Sequence, residues 1–268
     1  MKRFLSIFIV FVLIFSFASC RKAEDKNSDF TTTTTVAPPV IKEQSHHKDF
    51  TDKNGRIVYV VDVVLPEVSE YADNAVKDYV NRVSLEIFED ACEKAERNVE
   101  NAAVSMDSLD TEKPWVNEIK FETTYSDGRF TCFLIKDAFS FSGGKGEPAY
   151  ITKCFDLKKG EPCSAKAFAI DEFSREDYEA MLLDELIKPM AMQNFYPNNP
   201  EALSQKNLEA FSRCFTLENF YLTESGMAFY FDKTEIDPEL TGVYVCEFEW
   251  ANLSSVFFSP ADIQAIDY

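Results

Sequence analysis

The chain has 268 residues, 46% of them hydrophobic, and a formal charge of −19 from 27 basic and 46 acidic side chains. That length and apolar content support one large domain or two small fused ones, and the acidic surface disfavours nucleic acid and anionic headgroups while favouring cationic partners. The only two histidines, His46 and His47, precede a folded part expected to start at about Phe50, and there is no Cys-x-x-Cys pair, which argues against Ser-His-Asp, Cys-His, zinc and thioredoxin-like chemistry; an EF-hand-type calcium loop is also absent from the sequence.

The first residues read MKRFLSIFIVFVLIFSFASC. Lys2 and Arg3 form a positive start, and an apolar run over residues 7–15 follows, too short for a membrane span. Phe17-Ala18-Ser19-Cys20 resembles a bacterial lipobox, with Phe17 where leucine is commoner. The resemblance implies cleavage before Cys20 and diacylation of its thiol, and two acyl chains give stable anchoring. An ordinary cleaved signal with a secreted product is the alternative. Residues 1–19 are therefore expected to be a signal peptide, and the mature chain extracytoplasmic. Residues 20–49, with TTTTTVAPP near the centre, read as a disordered tether. Loss of Lys2 and Arg3 with the leader takes the formal charge from −19 to −21.

Beyond the tether, residues 56–65 (RIVYVVDVVL) predict a strand that Pro66 ends. Residues 69 to about 103 contain neither Gly nor Pro. Apolar residues recur there at Ala72, Val76, Tyr79, Val83, Ile87, Ala91, Ala95 and Val99, the spacing of an amphipathic helix. Its stripe reads as core packing, with a partner groove as the alternative. Residues 116–125 and 129–141 predict strands joined by the hairpin turn Ser126-Asp127-Gly128. Residues 149–157 predict another, closed by the turn Lys158-Lys159-Gly160-Glu161-Pro162. Helices are predicted over about 174–193 and 200–213. Strands over 220–223 and 227–232 flank the turn Glu224-Ser225-Gly226. A last strand carries Tyr244, Cys246, Phe248 and Trp250 on its inward side, and residues 252–256 and 260–266 predict short terminal helices. The fold class is α+β: antiparallel sheets with hairpins, packed against one long and two shorter helices. An N-terminal part over 50–145 and a C-terminal part over 146–268 are expected to fuse into one unit.

Between two of these strands lies Ser142-Gly143-Gly144-Lys145-Gly146, in a chain with only 8 glycines. A phosphate-binding loop is excluded, because Lys145 precedes Gly146, no Ser or Thr follows it, and a strand comes next rather than a helix. The cluster reads as a turn with Gly143 at the hairpin centre, where a positive φ or a close backbone approach is needed. Cys132 and Cys154 are equidistant from Gly143 in the sequence, so they face each other across that hairpin. They form either a disulfide or two buried thiols.

Three motifs carry a resemblance. They are Phe139-Ser140-Phe141-Ser142-Gly143-Gly144, then Phe155-Asp156-Leu157-Lys158-Lys159-Gly160, then Tyr230-Phe231 with Ile236, Pro238 and Gly242 behind it. In this order they resemble the RsiV-like extracellular domain family, the domain of lysozyme-sensing anti-sigma factors. A related small domain accompanies it in surface proteins such as the peptidoglycan deacetylase PdaC. The resemblance covers roughly residues 56–256. The chain departs from the pattern at Lys145-Gly146, where the family often has Ala-His, and at Thr234 and Glu239, which occupy two usual Tyr positions. Neither an anti-sigma segment nor a deacetylase domain is present in the sequence, so neither activity is implied.

What the resemblance implies is a non-catalytic binding or sensing module at the cell envelope; from the residue content no cofactor or metal is expected. The expected ligand is a cationic protein such as lysozyme, or a cell-wall glycan. The expected ligand surface combines Gly143, Gly144 and Lys145 with the acidic turn residues Asp232, Glu235 and Asp237. Two alternatives stand beside it. One is a carbohydrate-active enzyme using paired carboxylates among Asp232, Glu235, Asp237 and Glu239. The other is a structural partner of a membrane complex, using the long helix.

Overall fold

The structure is a computed structural model, and it describes residues 36–104, 113–141, 144–170, 175–188, 209–210, 213–236 and 238–266. The expected signal peptide, Cys20, Gly143, Asp237 and most of the helix expected over 200–213 lie outside the described residues.

The chain order is β1 (Val40–Thr51), β2 (Ile57–Glu70), α1 (Asn74–Val104), β3 (Trp115–Ser126), β4 (Phe130–Phe141), β5 (Gly144–Lys145), β6 (Ala149–Asp156) and β7 (Glu161–Pro162). A 3-10 turn (Ala165–Phe168), α2 (Arg175–Met181) and a π-turn (Leu182–Ile187) follow. The chain then runs through β8 (Phe220–Leu222), β9 (Gly226–Asp232), α3 (Lys233–Ile236), β10 (Val243–Glu249), α4 (Trp250–Leu253) and α5 (Pro260–Ile266). The fold is α+β. Seven strands form one sheet in the order β1-β2-β3-β4-β6-β7, with β5 paired to β4, and β10-β9-β8 form a second. The only parallel pair described, β2 with β3, is the one connected through a helix, as a parallel crossover requires.

Strand β4 decides the layering. Its run from Phe130 to Ile135 is buried on both faces. Phe133 and Ile135 point towards α1, joining Val76, Val80, Ile87 and Ala95. Phe130, Cys132 and Leu134 point the other way, into a second core with Phe168, Phe220, Phe229 and Phe257. A continuous apolar run is what a strand covered on both sides demands. Each fully buried Phe or Leu contributes about 1.5–3 kcal/mol. The stripe on α1 is thus spent on core packing, as expected. The helix starts at Asn74 rather than at 69, because Asp73 caps it: its carboxylate accepts the Ala75 and Val76 N–H groups at 2.8 and 3.2 Å. Residues 69–70 belong instead to β2, whose end is held by paired Asn81 bonds to the N–H and C=O of Val68.

Three expectations about the N-terminal side are corrected. The tether expected over residues 20–49 overlaps a full strand, Val40–Thr51, paired with β2 from Val40↔Glu70 to Thr51↔Ile57. It is an edge strand, exposed along most of its length apart from Phe50, so no apolar alternation announced it. Both histidines therefore lie inside the fold. His46 stacks on Phe88 of α1 at 4.8 Å. Pro66 does not end β2, which runs through it opposite Glu43. It lies beyond the Tyr59–Val63 stretch that pairs with β3, where a strand tolerates a missing N–H. The expected boundary between residues 145 and 146 falls between β5 and β6 of a single sheet.

Two turns of the large sheet are fixed by buried carboxylates. Asp52 closes the β1–β2 hairpin, where the Arg56 N–H, the Arg56 guanidinium and the Asn54 N–H hold its carboxyl down at about 2. Arg129 and Asp156 form a buried pair at 3.3 Å, joining the β3–β4 turn to the end of β6. Replacing Arg129 by Met leaves the Asp156 charge buried without that partner, and should cost about 3–5 kcal/mol in urea unfolding. A loss below about 1 kcal/mol would show the pair to be dispensable.

His47 bonds Asp62 through Nδ1 at 2.5 Å and Asp49 through Nε2 at 3.1 Å. The Asp62 bond, above all, raises its pKa above the usual 6.5. The protonated ring is favoured in the folded state, so its support of the β1–β2 pairing is complete below about 6.5 and is lost as pH rises through the raised value. Proton NMR titration should place His47 above 6.5, and Asp62→Asn should bring it back down.

Candidate functional site in the cleft between the sheets

The second sheet lies against β3, β4 and β6 through β8. Along the inner face of β4 the contact opens outward: Cys132 is fully buried, Leu134 nearly so, and the Lys136 side chain is 39% exposed. Where the sheets part, they leave an open cleft of about 480 Å³, within the usual range for ligand sites.

One wall carries Glu122, Thr123 and Thr124 from β3, Lys136 from β4 and Tyr150 from β6. Successive strand residues normally point to opposite faces. The β3–β4 register shifts between Thr123 and Tyr125, and such a bulge lets neighbouring residues serve the same site. Lys136 donates to Glu122 at 3.0 Å and lies 5.9 Å from the Tyr150 ring centroid. Tyr150 packs at 6.0 Å against Tyr230, whose hydroxyl sits 3.2 Å from that of Thr152.

The other wall carries Tyr221, Thr223 and Glu224 at the β8 turn, and Val245 and Glu247 on β10. Tyr221 and Glu247 both pair with Ala228 of the strand between them. The turn itself depends on Gly226, because a Cβ there would meet the Phe248 carbonyl oxygen at 1.7 Å. Tyr221 is pushed up to about 12, first by burial and then by Glu247, Tyr150 and Glu122. Its hydroxyl keeps its proton at neutral pH. The cleft thus offers two tyrosines, three threonines, three carboxylates and one ammonium group. Such a set binds hydroxyl-rich or cationic groups.

The expected ligand surface fares differently. The backbone of Gly144 and Lys145 pairs with Phe141 and Ser140 of β4. The loop that follows approaches the β9–β10 turn, where Glu147 would lie 3.5 Å from a Cβ on Gly242. Glu147, just after the glycine loop, and Gly242, just before β10, are therefore neighbours. Two described acids of that turn are engaged locally: Asp232 accepts the N–H and hydroxyl of Thr234 at 2.9 and 2.7 Å. Glu235 bonds Cys214, whose thiol is pushed up to about 11 by burial first and then by that carboxylate. Cys132 and Cys154 do face each other in the β4–β6 ladder, the register expected from a hairpin centred on Gly143. The sequence reading missed the cleft, whose members come from five strands with no shared motif. It also missed Cys163, which joins the cysteine row through the β7 turn. His47 gives both ring nitrogens to carboxylates and leaves neither to activate a nucleophile. Among the described residues no group of His, Cys, Asp and Glu has metal-site geometry, and no helix is long and apolar enough to cross a membrane.

Residues 170–251 match the model of DUF3298, a family described as proteins of unknown function. The matched segment supplies Tyr221, Glu224, Val245 and Glu247, one wall of the cleft. The fold is similar to that of a DUF3298 family member from Bacteroides fragilis, with a TM-score of 0.57 and 13% identity over 87% of this chain and 100% of that one. It is also similar to a DUF3298 family protein from Pseudomonas aeruginosa, with a TM-score of 0.50 and 13% identity over 83% of this chain and 95% of that one. Identity at that level speaks to fold alone. No curated protein matches the chain.

Tyr221 offers a direct check on the cleft. The ultraviolet difference titration between wild type and Tyr221→Phe should have its midpoint near 12 instead of the ordinary 10. Burial of the neutral phenol supports the fold below about 10 and is lost as pH rises through 12, so the variant should lose less stability in that window. A midpoint at 10 would mean the phenol is open to water.

Proposed function

We propose that this chain is an extracytoplasmic lipoprotein, anchored to the membrane by a diacylated Cys20, whose folded unit is a non-catalytic module that binds a cationic protein. The observation that carries the reading is the cleft between the sheets, with Glu122, Glu224 and Glu247 set against the single cation Lys136. The formal charge of −19 adds a long-range field that draws cationic partners and speeds encounter. The resemblance of the glycine and Phe-Asp-Leu motifs to the RsiV-like domain points the same way, towards a lysozyme-like ligand. Local engagement of Asp232 and Glu235 supports binding over carboxylate catalysis, and the packing of the α1 stripe into the core leaves it little apolar surface for a membrane partner.

A cell-wall glycan is the second reading. Tyr150, Tyr221 and the threonines of the same cleft favour it, because sugars stack on aromatic rings and bond hydroxyls.

Immobilised mature protein should retain lysozyme at low salt and release it as salt rises. Glu122→Gln, Glu224→Gln and Glu247→Gln together should weaken retention about tenfold or more, equivalent to about 1.4 kcal/mol. Sedimentation with peptidoglycan, unaffected by salt and abolished by Tyr150→Ala, would assign the glycan instead. Absence of both would remove the binding reading, and an altered muropeptide profile would replace it with catalysis. Metabolic labelling with palmitate should mark the wild type, and Cys20→Ala should lose the label.

A further inference from the structure

The structure assigns an oxidation site to Cys154 and Cys163, with Cys132 as a third thiol behind them. The three cysteines form one row across three adjacent segments. Cys132 on β4 is directly opposite Cys154 on β6. Phe155↔Pro162 and Asp156↔Glu161 set the β6–β7 register, and the next position outward brings Cys163 opposite Cys154, with its N–H donating to the Cys154 carbonyl at 2.8 Å. Residues opposed in register put their side chains on one face. The Cys163 and Cys154 Sγ atoms are 3.5 Å apart.

Cys154 has two neighbours and one bond to give. Cys132 and Cys154 are buried, whereas Cys163 is half-buried, so Cys163 is the member an outside reagent reaches. β7 is a two-residue strand at the sheet edge and can close the remaining gap at small cost. Cys132 sits in the middle of the sheet, packed on both sides. Burial, followed by the bonds to Cys132 and Cys163, raises the Cys154 thiol well above its usual value. That thiol is therefore the resolving member and not the first to react.

The step is a thiol–disulfide exchange with a disulfide donor of the RSSR class. The Cys163 thiolate attacks one donor sulfur, forming a mixed disulfide and releasing RSH. Cys154 then gives up its proton and attacks the Cys163 sulfur, expelling a second RSH. Two protein thiols are oxidised, the donor disulfide is reduced, and the Cys154–Cys163 bond forms. The bridge closes the turn that contains Asp156 and Gly160, next to the buried pair with Arg129. In the cell the donor rests on the extracytoplasmic reading above; the chemistry itself does not.

The experiment reduces the purified full chain in detergent, exchanges it into oxidised glutathione, alkylates it and digests it with trypsin, which cuts after Lys158 and Lys159 between the two cysteines. Mass spectrometry should find the Cys154 and Cys163 peptides linked, with Cys132 alkylated only after denaturation. Cys163→Ser should lose the link and leave Cys154 reduced. A dominant Cys132–Cys154 link, or all three cysteines still alkylatable, would overturn the assignment. Linkage in the test tube with thiols found reduced in cells would leave the site standing and count against the extracytoplasmic location.

Discussion

The buried ion pair between Arg129 and Asp156 fixes one end of the large sheet, where two of its turns meet the C-terminal helix. Neither side chain is more than a tenth exposed, so each charge has lost most of its hydration and must be compensated within the protein. Asp156 is compensated well. Besides Arg129 it accepts the Lys158 and Lys159 N–H groups at 3.1 and 3.2 Å. The turn it caps ends at Gly160, whose φ of +70° suits glycine, and the Gly160 N–H returns to the Asp156 carbonyl. Arg129 reaches further. Its guanidinium lies over Phe130 and bonds the Ile263 carbonyl at 3.4 Å. Its own turn is fixed by Asp127, which also accepts from Gln264 at 2.9 Å. One pair therefore ties the β3–β4 turn, the β6–β7 turn and the last helix together.

The same pair explains a motif. In Phe155-Asp156-Leu157-Lys158-Lys159-Gly160 the two apolar members face the α1 side of the large sheet. The aspartate caps the turn and meets the arginine, and the glycine supplies the left-handed backbone. Each residue type answers a separate physical demand, and the turn they build is the one that brings Cys163 beside Cys154. The cleft follows from the other end of the same strands. The inter-sheet core is tight at Phe130 and Cys132 and gives way by Lys136, so the ligand-sized opening lies where apolar packing ends.

Much of the fold was legible because local pattern and tertiary role agreed. The alternation of Tyr244, Cys246 and Phe248 and the stripe of α1 each state their burial in the sequence, whereas the two-sided burial of β4 emerges only in the fold. Turn residues placed the β3–β4 and β8–β9 hairpins, and symmetry about Gly143 gave the β4–β6 register. β1 was not legible, because an edge strand exposed to water carries no apolar rhythm. Ser69 and Glu70 were read as helix because lack of Gly and Pro is permissive of helix without requiring it, and the Asp73 cap decided the start. Asp232 and Glu235 looked like a ligand cluster, yet short loops of acids commonly serve their own backbone, as Asp232 does here.

By itself the sequence determined most of the segments that pair or coil, the edge strand β1 excepted, since hydrophobic period and turn chemistry are local quantities. It also determined the charge that any partner must meet. Only the tertiary structure decided that Glu122, Lys136, Tyr150, Tyr221 and Glu247 share one cleft, and that Cys163 completes a row with Cys154 and Cys132. The cleft neighbours are set by strand order, a bulge and the contact of two sheets, of which sequence spacing carries no record, and the cysteine row by the register of β7 on β6.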